Sequence, residues 1–73
     1  MNETTRKETI AAVREIYAKR LKLIDCAIRA AERANEFTPG YTSLHSAIYS
    51  LKDARLKIEQ RLEREIKYWE EQE

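Results

Sequence analysis

Pro39 and Gly40 are the only proline and the only glycine of the chain, and they are adjacent, near its middle. The residues that break helices are thereby confined to one point, and whatever forms on either side can run uninterrupted for about thirty residues. Pro-Gly suits the two central positions of a type II turn, because proline fixes φ and glycine accepts a positive one. Both flanks are dense in Ala, Leu, Ile, Arg, Lys and Glu, which are helix formers. Neither flank carries the alternating apolar and polar pattern of a strand. The expectation is an all-α chain forming one domain over residues 1–73. It comprises a helix over about 5–35, a turn over about 36–42 and a helix over about 43–71. A short link between two long helices makes them antiparallel neighbours.

The ends of the helices carry their own signals. Thr5-Arg6-Lys7-Glu8 fits the capping box, in which a threonine hydroxyl and a glutamate each satisfy an orphan backbone N–H, so the first helix is expected to begin there. Asn35 suits a helix C-terminus. Thr42 or Ser43 is expected to cap the second helix.

Plotted at 100° per residue, the first helix divides in two. One apolar seam holds Ile10, Val13, Tyr17, Leu21, Ile24, Ile28 and Ala31. A neighbouring seam holds Ile16, Leu23, Ala27, Ala30 and Ala34, and its alanines allow close approach of another helix. Together the seams are wider than one helix-to-helix contact requires. The second helix has its main seam along Leu44, Ala47, Ile48, Leu51, Ala54, Ile58, Leu62, Ile66 and Trp69. Tyr49 and Leu56 fall outside it, on one side, as a candidate partner surface. Phe37 and Tyr41 form a second candidate surface at the turn, while Tyr68 and Trp69 are placed to cover the open end.

A chain of this length buries only about 60% of the surface that its unfolded form exposes. Cys26 is alone, so no internal disulfide can assist. One cysteine and one histidine, His45, do not make a four-ligand structural zinc site. Packing between chains is what remains, and the hairpin is expected to assemble with copies of itself, as a homodimer or larger coiled-coil-like bundle. Another protein is the alternative partner.

Several function classes are disfavoured. Fourteen basic residues against thirteen acidic ones leave no basic excess of the kind that nucleic-acid binders show. There is no glycine-rich phosphate loop, no nucleophile–base–acid constellation and no cluster of metal ligands. The chain is expected to be non-enzymatic and to need no cofactor. No stretch approaches the roughly 20 apolar residues needed to cross a bilayer, and none follows Met1. With a single thiol, that suggests a reducing, cytoplasmic setting.

Two arginines stand out. Arg20 projects near the middle of the apolar half of the first helix, and Arg55 interrupts the seam of the second. With the turn centred near Pro39, Arg20 is level with Ile58 and Arg55 with Leu23. One reading pairs them with Glu59, Glu63 or Glu65, fixing register as polar core residues do in coiled coils. A second makes them an anion site at a subunit interface, with Tyr17 or Tyr49 stacking on a base, and in a third both simply reach past the seam to solvent. His45 and Cys26 both plot toward solvent and read as surface residues.

Three functions follow. The first is an oligomeric interaction module: a small regulator, adaptor or inhibitor acting through leftover apolar surface. The second draws on a resemblance. Beyond the proline of the turn, Ser46 and the run Leu51-Lys52-Asp53-Ala54 resemble the second helix of small phage proteins that sequester cyclic nucleotides in antiviral signalling. The resemblance implies a non-enzymatic oligomer holding a small anionic ligand between subunits. It is confined to this stretch, and the separate short N-terminal helix of those proteins has no counterpart here. The third is an RNA-binding dimer of hairpins, similar in plan to small plasmid copy-number regulators. Arg14, Lys22, Arg29 and Arg33 would serve it, but Glu15, Asp25 and Glu32 are interleaved, the pattern of a solvated, ion-paired face.

Overall fold

The computed structural model describes residues 2–72. It consists of α1 (Glu3–Phe37) and α2 (Thr42–Glu70), packed antiparallel into a rod with extents of 55 × 15 × 9 Å. The helical hairpin expected from the isolated Pro-Gly pair is the fold. Among the described residues no helix is long and apolar enough to cross a membrane.

The caps differ from those expected. Asn2, not Thr5, is the N-cap of α1: its Oδ1 accepts the Thr5 N–H at 2.8 Å, and its carbonyl accepts the Arg6 N–H at 3.0 Å. Asparagine is among the strongest N-cap residues, and it adds one more turn than a start at Thr5 allows. Thr5 is instead an interior residue whose carbonyl takes the Thr9 hydroxyl at 2.8 Å. At the other junction neither Thr42 nor Ser43 caps α2. The N-cap position falls on Tyr41, which makes no side-chain cap bond. Gly40 stands at φ 95°, a left-handed value that only glycine adopts without strain. Tyr41 is extended and Thr42 is already helical. The reversal is so compact that the threonine is drawn into the first turn.

The seam of α1 that runs from Ile10 to Ala31 is the one that meets α2, and all seven of its residues are at least half-buried. Among the described residues only two side chains are closed off from solvent: Tyr17 at 4% exposure and Ile28 at 8%. The main seam of α2 faces them with Leu44, Ile48, Leu51, Ile58, Leu62, Ile66 and Trp69, all partly covered, while Ala47 is exposed. The neighbouring seam of α1 is left open. Leu23 is 71% exposed and Ile16 50%, and Ala30 and Ala34 are exposed as well. Two helices offer each other one stripe, and α1 has two.

Candidate functional site: two unlike faces of the hairpin

Rotating a quarter turn from the α1·α2 contact in either direction reaches one of two broad faces, each built from both helices. The first carries charge that the chain satisfies internally. Arg55 Nε donates to Asp25 Oδ1 at 2.6 Å, and the same guanidinium is ion-paired with Glu59 one turn further along α2. Lys52 Nζ lies 3.7 Å from Glu32. The Arg55–Asp25 and Lys52–Glu32 pairs join α1 to α2 along one edge, at one register. The Arg55 hydrogen bond holds the Asp25 carboxyl below its usual value, against the opposing effect of burial. The same bond to Asp25 raises Arg55. Arg55 is thus engaged within the chain, across to α1 and along α2. Of the acceptors expected from sequence it uses Glu59. Asp25, assigned to the polar half of α1, was not anticipated.

The opposite face holds Ile16, Leu23 and the alanines of α1 beside Ala47, Ala54, Arg61 and Tyr68 of α2. Toward the open end it forms a cleft of about 190 Å³ lined by Val13, Ile16, Tyr17, Arg20, Arg61 and Glu65. Tyr17 forms its floor. The Tyr17 hydroxyl donates to Glu65 Oε2 at 2.6 Å, and the Arg20 guanidinium carbon stands 5.0 Å from the ring centroid, a cation–π distance. The hydrogen bond to Glu65, then burial, then the negative charge of Glu65 raise the Tyr17 hydroxyl above its ordinary pKa of 10.0, with Arg61 and Arg20 pulling the other way. The phenol stays protonated and donating throughout the neutral range. Among the described residues neither Arg20 nor Arg61 forms an ion pair.

Of the residues singled out as an anion site, the structure brings Tyr17 and Arg20 together and adds Arg61. Arg55 lies on the other face, engaged with Asp25 and Glu59. The difference arises from register. Tyr17 meets Glu65 where a turn centred at Pro39 sets residue 61 opposite it, and Asp25 rather than Leu23 meets Arg55, shifts of four and two residues. Those shifts carry Arg61 rather than Ile58 opposite Arg20. The sequence signal for Arg61 was its place one turn before Glu65.

The candidate partner residues are dispersed. Tyr49, 75% exposed, and Leu56 lie outside the α2 seam, on the side that also bears Lys52. Phe37 and Tyr41 are exposed at the turn, where Tyr41 lines a second, open cleft of about 380 Å³ with Ala34, Thr38, Ser43 and Leu44. Tyr68 packs edge-on against Trp69, with centroids 5.2 Å apart. Its ring remains half exposed, so Trp69 is the better covered of the pair. His45 and Cys26 are exposed, and among the described residues no group of side chains is arranged to hold a metal ion.

The chain is therefore an extended helical hairpin with one face that carries ion pairs between its helices and one open apolar face. Compared with protein-family models, curated proteins and solved structures, it has no match.

Proposed function

We propose that this chain is a non-enzymatic helical module that works through association, first with copies of itself and, once assembled, as a small regulator, adaptor or inhibitor of another protein. One observation carries the reading. The hairpin closes off two side chains while leaving Ile16, Leu23, Phe37, Tyr41, Tyr49, Leu56 and Tyr68 exposed. Large apolar area on a thin rod is a driving force for association, and helical hairpins satisfy it by pairing into bundles. The test is the mass in solution by light scattering across a dilution series. A mass of two or more chains, stable to dilution, supports the reading, and a folded single chain at every concentration refutes it.

A second reading has its own observation. Arg20 and Arg61 flank the Tyr17 ring with no carboxylate of their own, an arrangement that suits a small anionic ligand such as a cyclic nucleotide: guanidinium forks for the phosphate and an aromatic surface for a base. Glu65 opposes an anion in the same cleft, although its Oε2 is engaged by the Tyr17 hydroxyl. A concentration-dependent rise in melting temperature on adding the nucleotide, abolished by Arg20→Ala, supports this reading. No rise at millimolar ligand refutes it.

A further inference from the structure

The open face has an internal order that goes beyond being apolar. Along α1 its large members stand toward the open end and its small ones toward the turn: Ile16, Arg20 and Leu23, then Ala27, Ala30 and Ala34. Laid antiparallel against a second α1 about the level of Asp25, each large residue falls on a small one. Ile16 meets the partner's Ala34, Arg20 meets the partner's Ala30, and Leu23 meets the partner's Ala27. Packed helices want this alternation of large and small at facing positions.

The α2 half of the same face repeats the order about its own centre. Tyr68 and Ser43 are equidistant from the midpoint between Arg55 and Leu56, and so are Arg61 and Ser50. An antiparallel second α2 therefore sets Tyr68 on the partner's Ser43 and Arg61 on the partner's Ser50. Each helix has its own centre, Asp25 on α1 and the Arg55–Leu56 midpoint on α2. They coincide in the folded chain, because the 2.6 Å bond between Arg55 and Asp25 puts those residues at one level. A single two-fold axis satisfies both halves of the face.

Two further features fit. The open cleft beside the turn, bounded by Ala34, Ser43 and Leu44, lies where Ile16 and Tyr68 of the other copy arrive. About an axis at Asp25 the copies overlap over residues 13–37 of α1 and 42–69 of α2, roughly 40 Å at ~1.5 Å per residue; across a width of 15 Å that outlines about 600 Å² per partner, the lower end of what a specific interface buries.

We infer that the face of Ile16, Leu23 and Ala34 is a self-complementary interface, on which a second copy docks antiparallel about a two-fold axis at the level of Asp25. This rests on the self-association reading above and specifies its face, symmetry and register. An interface of this kind is isologous: the same patch serves both copies. The charged face stays outward on both sides of the resulting four-helix layer, and Arg20 and Arg61 pass their guanidinium groups over small side chains toward the rim.

The experiment uses the full chain with Cys26→Ser, carrying Ile16→Cys, Ala34→Cys or both. Positions 16 and 34 of one helix are roughly 27 Å apart at ~1.5 Å per residue, so no internal cross-link forms. A short bismaleimide, able to span the about 8–10 Å between packed helix axes, is expected to give covalent dimer from the double variant. An equimolar mixture of the two single variants should do the same, and neither single variant alone. Cross-linking of Ile16→Cys alone indicates a parallel arrangement and overturns the proposal. No cross-link in the double variant, with light scattering still reading an oligomer, overturns the face and register but leaves the self-association reading standing. A single-chain mass for the Cys26→Ser parent overturns both. Should Ile16→Cys reduce helix content by circular dichroism, Ser43→Cys with Tyr68→Cys, at exposed positions, applies the same criterion to the α2 half.

Discussion

The two faces of this hairpin are made by the same pair of helices, yet they treat polarity in opposite ways. On one, Asp25, Glu32, Lys52, Arg55 and Glu59 find partners within the chain. On the other, Leu23 and Ile16 find none, and Arg20 rests on an aromatic ring rather than a carboxylate. A face whose charges are internally neutralised and hydrated gains little from a partner. A face that keeps apolar side chains in water gains by losing the water. The charged edge joins α1 to α2, and the apolar face is the one on which the proposed association rests.

The sharpest way to break this division is a charge on the open face. Leu23→Glu is expected to weaken association by about 3 kcal/mol, roughly a hundredfold, because assembly would bury an unpaired carboxylate. Light scattering should read single chains at concentrations where the parent is assembled.

Next in size is Tyr17→Phe, which removes the hydroxyl donated to Glu65. The melting temperature is expected to fall by roughly 5 °C, since a partly buried carboxylate loses its donor. The titration sharpens the point. The folded-state pKa of Tyr17 is raised, so its contribution is complete below 10.0 and is lost as the pH rises through the higher folded value. A melting series above pH 10 should show a steeper decline in the parent than in Tyr17→Phe.

Arg55→Met acts on the other face and should do less. The expected loss is a few degrees in melting temperature with no change in assembled mass, because the pairs it breaks are partly solvated. Its acid counterpart has the opposite sign to the tyrosine. Asp25 is depressed in the fold, so its contribution is present above 3.8 and is lost as the pH falls through the lower folded value. Arg55→Met should flatten that acid limb.

Smallest of all is Leu56→Glu, which places the same charge as the first variant on the opposite side of the hairpin. An effect within about 0.5 kcal/mol is expected. A loss of assembly as large as that from Leu23→Glu would mean that the division between faces is wrong.

Much of the architecture was legible before any coordinates, because a lone Pro-Gly pair between two periodic runs leaves few alternatives. Which of the two α1 seams would be covered was not. Both are apolar, and the choice between them is a rotation about the helix axis that periodicity alone leaves open; the covered seam is the one from Ile10 to Ala31. Glu59 as a partner of Arg55 was readable from its spacing of four residues, whereas Asp25 required knowing the level to within about half a turn. The same uncertainty hid Arg61 behind Arg20. The cap at Asn2 is hidden in the sequence for a different reason. Thr5-x-x-Glu8 satisfies a capping pattern equally well inside a helix, and the stronger cap three residues earlier decides.

The bare N-terminus of α2 has a consequence in time. Contacts beside Gly40 join residues close in sequence, whereas the bond from Arg6 to the Gln72 carbonyl, 2.7 Å long, closes almost the whole chain. Loop-closure entropy therefore rises steadily from one end of the rod to the other. The end with the cheapest closure is the one whose helix start has no side-chain cap, and the end with the costliest closure is fastened by Asn2. Cap and closure offset each other, which evens out local opening along the rod and should give amide protons at the two ends similar exchange rates, rather than a gradient that falls away from the turn.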